Sequence, residues 1–139
     1  MGDDLEFPDN SQIPPAIPDG EHYELAFRRA EQSCYRGRTK VYLWFQMFTP
    51  GESVGQEFYM ACTVAPKGKW TASYKYWQAW VFAAGKRPSR ADRMSTVIFH
   101  GKVFRARMRT VRKNANQTDR TPAQQYSVVD ELLEVLVGR

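Results

Sequence analysis

The stretch Gly101–Lys113, GKVFRARMRTVRK, alternates strictly between apolar and charged side chains from Phe104 to Arg109. That period of two is the signature of a half-buried β-strand. Successive side chains of a strand point to opposite faces. Phe104, Ala106, Met108 and Thr110 therefore share one side, suited to a core. Val103, Arg105, Arg107, Arg109 and Val111 share the other. Three guanidinium groups then stand in a row, about 7 Å apart at the usual strand rise. Like charges so placed repel one another. Either an extended anion relieves that repulsion, or the strand is a solvated edge that uses charge to block aggregation.

A second alternating stretch, TKVYLWFQMF at residues 39–48, has Val41, Leu43, Phe45 and Met47 on one face. Tyr42, Trp44, Gln46 and Phe48 lie on the other. Both faces are apolar or aromatic, so the strand is either covered on both sides or offers a platform on which rings can stack. Residues 21–30 alternate as a first strand with Tyr23, Leu25 and Phe27 inward, and Gln56–Val64 alternates as a third. From Thr71 to Ala84 the period changes. Tyr74, Trp77, Trp80, Val81 and Ala84 recur at helical spacing, with Thr71 or Ser73 to cap and Gly85 to stop. Trp77 and Trp80 are expected in the core. Gln124–Val129 reads as a last strand, and Asp130–Val137 fits a continued strand or a short helix equally well.

The expected order is three strands, a helix and two strands. The fold class is mainly β with one helix (α+β). The layout is that of a five-stranded barrel like the oligonucleotide/oligosaccharide-binding fold, with the helix between strands 3 and 4. Residues 1–20 carry four prolines and read as an acidic, flexible arm, leaving 21–139 as the folded domain.

Charge is distributed unevenly. Residues 1–24 hold seven acids and no Lys or Arg, whereas residues 25–125 hold 19 Lys and Arg against five acids. A basic body with acidic ends suits a polyanion. It also suits an acidic protein partner. Basic and aromatic residues interleave: Arg36, Arg38 and Lys40 lead into Tyr42 and Trp44, Lys67 and Lys69 flank Trp70, and Tyr59 lies on the neighbouring strand. Together with Arg105, Arg107 and Arg109 these are the candidate contacts for single-stranded DNA. Cations would meet phosphates and rings would stack on bases. RNA is the alternative ligand, because discrimination through the 2′-OH is not legible in the sequence.

Other chemistry is poorly supplied. His22 and His100 belong to no metal or triad motif, and the acids of the body are scattered. No P-loop is present, so no enzyme, metal or cofactor is expected. Cys34 and Cys62 form no CxxC pair and are expected as reduced thiols in a cytoplasmic protein. No apolar run approaches the roughly 20 residues that span a bilayer, and the acidic N-terminus is wrong for a secretory signal.

The spans GRTKVYLWFQMFTPGESVGQEFYMACTV, GKWTASYKYWQAWVFAAGKRPSR and FHGKVFRARMRTV resemble a family of small proteins of phages, plasmids and integrative elements. More loosely, the chain is similar to phage single-stranded-DNA-binding proteins of the same barrel type. Gly20-Glu21-His22-Tyr23-Glu24, Gly51, Gly55 and Gly101-Lys102 stand where that pattern has its glycines and first strand. The resemblance implies a non-enzymatic protein that organises single strands in DNA replication or recombination of a mobile element. Separately, the apolar segment Val128–Val137 points to a homo-oligomer, and Leu5 and Phe7 within the acidic arm to a docked replication or recombination protein. The competing class is an adaptor whose basic face docks an acidic partner.

Overall fold

The computed structural model describes residues 16–65, 69–90, 94–114, 117–121 and 124–138. Five strands, β1 (Gly20–Tyr35), β2 (Arg38–Met47), β3 (Glu57–Thr63), β4 (Val103–Val111) and β5 (Tyr126–Val137), form one antiparallel sheet. Its order is β3-β2-β1-β4-β5. Helix α1 (Lys75–Ala84) and a 3-10 turn (Thr96–Phe99) lie between β3 and β4. The expected strand and helix order is thus observed, in a sheet whose edge strands β3 and β5 are not hydrogen-bonded to each other. No helix among the described residues is long and apolar enough to cross a membrane.

The alternation assigns the inner face as expected. Leu25, Leu43, Phe45, Phe58, Cys62, Phe104 and Ala106 are completely or almost completely buried there. Residues 130–137 continue β5. The helical side of the undecided reading fails because the stretch pairs with β4 along its length, from Arg107↔Glu131 to Val103↔Val137. β1 is longer than expected. The connection to β2 shrinks to Arg36-Gly37, at φ 52° and 76°. Two positive φ values in a two-residue loop match the right-handed twist of a hairpin.

Helix α1 covers the inner face of the sheet through Tyr76, Ala79, Trp80 and Ala83. This stripe differs from the expected one by rotation. Trp80 is buried, while Trp77, Val81 and Ala84 are partly buried against the same core. The rotation has a polar cause. Tyr76 Oη donates to the Met94 carbonyl at 2.6 Å and Trp80 Nε1 to the Ser95 carbonyl at 3.0 Å. Those bonds tie the helix to the segment that leads into the 3-10 turn. Neither Thr71 nor Ser73 caps the helix, since their hydroxyls bond each other at 2.7 Å and Tyr74 is the N-cap. Gly85 ends it as expected, left-handed at φ 74°. A helix of ten residues is marginal alone, so its burial on the sheet must hold it.

The last part of the arm is fastened to the sheet. Ile17 N donates to Ser127 Oγ at 2.9 Å, and the Asp19 carboxylate accepts from Thr110 Oγ1 at 2.7 Å and Thr110 N at 3.0 Å. The Thr110 hydroxyl, with help from Arg112, holds the Asp19 carboxyl below its ordinary range. The remainder of the acidic arm, residues 1–15, lies outside the described residues.

Candidate nucleic-acid interface

The outer face of the sheet carries most of the candidate residues, and it is built in three parts. The first is aromatic. A bulge in β1 between Phe27 and Arg29 shifts the alternation by one, so Arg29 pairs with Trp44 on the outer face. Its guanidinium carbon stands 4.7 Å from the Trp44 ring centroid. Tyr42, Trp44 and Tyr59 then pack edge to face, with Tyr59 5.3 Å from Tyr42 and 5.2 Å from Trp44. Tyr126 of β5 comes to 6.3 Å from Tyr59. The sheet curls far enough for its two edge strands to meet on this side.

The consequence corrects the sequence reading. Tyr42, Trp44 and Tyr59 are at most 3% exposed, in a cluster completed by Tyr126 and Val128. They are not an open stacking platform. Of the two readings of β2, coverage on both sides is the observed one. Burial leaves the Trp44 indole N–H without a hydrogen-bond acceptor among the described residues. Such a group costs about 1–3 kcal/mol. Burial, followed by the nearby Tyr126 phenol, pushes the Tyr59 hydroxyl far above the ordinary phenol range.

The second part is the arginine row. It does share one face as the alternation requires, but it is not uncompensated. Register places Glu134 opposite Arg105 and Glu131 opposite Arg107. Arg105 Nε reaches Glu134 at 3.2 Å, and its Nη1 donates to the Glu21 carbonyl at 2.9 Å. Arg107 contacts Asp130 at 2.9 Å, Glu131 at 3.2 Å and Glu21 at 3.3 Å. Arg109 reaches the other oxygen of Asp130 at 3.2 Å, and Lys75 shares that oxygen at 3.5 Å. Burial opposes ionisation of Asp130, yet Arg107, Lys75 and Arg109 together outweigh it and hold its carboxyl below the usual range. Cross-strand acids therefore relieve the repulsion that suggested an external polyanion. The sequence reading missed these partners because the structure of 130–137 was undecided.

The third part is the hairpin end. Arg36 and Arg38 are exposed and Lys40 is half-buried. Arg38 and Lys40 continue the outer-face row of Tyr42 and Trp44 along β2. Lys40 pairs with Thr63 at the end of β3, where Val64 N donates to the Thr39 carbonyl at 2.9 Å. Glu31, opposite Tyr42, stands 3.7 Å from Arg29, whose other guanidinium nitrogen binds Glu57. Lys69 is exposed in the connection beyond β3, whereas Lys67 lies outside the described residues. Trp70 is also a correction. It packs against the main core, 5.4 Å from Tyr74 and 5.7 Å from Tyr76, and is half-buried.

Of the other chemistry-bearing residues, His100 caps the 3-10 turn and stacks 5.4 Å from Phe27. Cys34 and Cys62 are both free thiols, the first exposed and the second buried. Burial pushes the Cys62 thiol up to about 12. Among the described residues no group of three or more His, Cys, Asp or Glu is placed to hold a metal ion. Neither a family model, nor a curated protein, nor a solved structure matches this chain.

Proposed function

We propose that the protein binds single-stranded nucleic acid, DNA in the first instance, and does so from the hairpin end of the outer face. The observation that carries the reading is the cluster of exposed and half-exposed cations at the β1–β2 hairpin end, set apart from the acid-bound arginine row. The carboxylates Glu21, Asp130, Glu131 and Glu134 gather around Arg105, Arg107 and Arg109. At the hairpin end Arg36 and Arg38 are exposed and Lys40 is half-buried, with Arg38 and Lys40 on the same side of β2. Cations two apart on a strand stand about 7 Å from each other. That spacing matches successive phosphates along one nucleic-acid strand.

The topology supports the reading. A five-stranded sheet in the order β3-β2-β1-β4-β5, with a helix after β3 and with β3 and β5 facing each other through Tyr59 and Tyr126, fits a partly open oligonucleotide-binding barrel. In such barrels the face of strands 2 and 3, together with the loop between strands 1 and 2, meets the ligand. Here that loop is Arg36-Gly37. Service in replication or recombination of a mobile element belongs to the same proposal.

Fluorescence anisotropy with labelled oligo-dT, duplex DNA and RNA at two salt concentrations tests it. Binding to oligo-dT should weaken with salt, with a log–log slope near −2 if about three phosphates are neutralised. Absence of binding at low salt would leave the adaptor reading, in which the same cations dock an acidic protein.

A further inference from the structure

The seam between β3 and β5 contains a cavity of about 150 Å³ that none of the chemistry above uses. Tyr59 and Ala61 wall it from β3, and Tyr126 and Val128 from β5. Lys75 and Arg109 line it as well. The two strands are not hydrogen-bonded to each other, so no ladder closes the slot. An apolar cavity of about this size holds one benzene-sized ring. Its flanking charge is specific too. Lys75 and Arg109 are both held at its rim by one carboxylate, that of Asp130, at 3.5 and 3.2 Å. A largely apolar slot with two cations in its lining suits a planar ring that carries an anion.

We infer that the β3–β5 seam is a slot for one nucleobase, with Arg109 and Lys75 receiving the phosphate attached to it. The inference rests on the reading of the protein as a binder of single strands, and it adds a site that this reading does not require. The slot is continuous with the hairpin end. Ala61 and Thr63 lie on the same outer side of β3, and Thr63 pairs with Lys40. A strand held by Arg38 and Lys40 would cross Thr63 and reach Ala61 within about 7 Å. One base could then leave the solvent while the backbone stays on the cations. Affinity would depend on the bases as well as on the phosphates.

The test compares oligo-dT with an abasic strand of equal length, using the wild-type chain and the variant Ala61→Phe. Ala61 is exposed, so the added ring fills the slot from its mouth without entering the core. The wild type should bind oligo-dT roughly tenfold more tightly than the abasic strand, the usual scale for one stacked base. Ala61→Phe should abolish that preference and leave the abasic affinity unchanged. Equal wild-type affinity for both strands overturns the slot while the binding reading stands. A preference that survives in a folded Ala61→Phe also overturns it. Should neither strand bind the wild type, the functional reading itself fails. The wild-type comparison decides the matter even if the variant does not fold.

Discussion

Replacing Asp130 by Asn keeps the shape of the side chain and removes the charge on which the arginine row converges. One oxygen of Asp130 accepts from Arg107 at 2.9 Å, and the other meets Arg109 at 3.2 Å and Lys75 at 3.5 Å. The carboxylate is 22% exposed, whereas Arg107 and Arg109 are 38% and 50% exposed, so solvent screens each pair. An exposed pair contributes about 0–1 kcal/mol. The Asn amide still accepts one hydrogen bond but leaves Arg109 and Lys75 facing each other, while Arg107 keeps Glu131 and Glu21. The expected loss is about 1–2 kcal/mol, or about 4–7 °C in Tm for a chain of this size. Circular-dichroism melts at low salt measure it. The pH dependence has a definite sign. The folded-state pKa of Asp130 is depressed, so its contribution is present above the unfolded value of about 3.9 and is lost as pH falls through the folded value. The gap between wild type and Asp130→Asn should be widest near pH 7 and should close toward pH 2. Equal melting at pH 7, or a gap that persists unchanged at pH 2, would refute the assignment of Asp130 as the hub. The variant should also bind oligo-dT more tightly, because the carboxylate beside Arg109 and Lys75 repels phosphate.

Three further outcomes follow from the packing. Thiol titration of the native protein should count one fast-reacting group, the exposed Cys34, and a second only after denaturation, since Cys62 is buried and its thiol is pushed up to about 12; two fast groups would contradict that burial. Gly85→Ala should destabilise by about 1 kcal/mol in urea unfolding, because a Cβ there meets no neighbour but the residue is left-handed at φ 74°; an unchanged midpoint would contradict the cap. Phe45→Ala should cost about 3–5 kcal/mol, as the ring is fully buried between β1 and β4 neighbours; a cost below 1 kcal/mol would place that ring outside the core.

Most of the fold was legible in the sequence because the inner face obeys one period. Tyr23, Leu25 and Phe27 on β1, Leu43, Phe45 and Met47 on β2 and Phe104, Ala106 and Met108 on β4 mark it, and Gly85 marks the helix end. The outer face was misread for a reason that no single stretch reveals. Whether Tyr42, Trp44 and Tyr59 are open depends on how far the sheet curls, and the curl brings in Tyr126 from a strand more than 60 residues away in sequence. The arginine row was misread for a related reason. Its partners sit at Asp130, Glu131 and Glu134, whose i, i+1, i+4 spacing fits neither a plain strand nor a helix face. Bulges in the β4–β5 ladder between Arg105 and Ala106 and between Arg107 and Met108 bring them onto one side. Helical periodicity located α1 but not its rotation, because hydrogen bonds from Tyr76 and Trp80 to the Met94–Ser95 backbone set the buried stripe.

The central claim is that external anions meet the hairpin end and that Arg105 and Arg107 serve the fold. One anisotropy experiment addresses it, with labelled oligo-dT and two variants, Arg36→Ser/Arg38→Ser/Lys40→Ser and Arg105→Ser/Arg107→Ser, each corrected for the folded fraction. The account predicts that the first variant melts near the wild type, loses at least tenfold in affinity and shows a shallower salt dependence. It predicts that the second melts lower and binds as the wild type does per folded molecule. The reverse pattern, with affinity lost from the second variant and kept in the first, would contradict it.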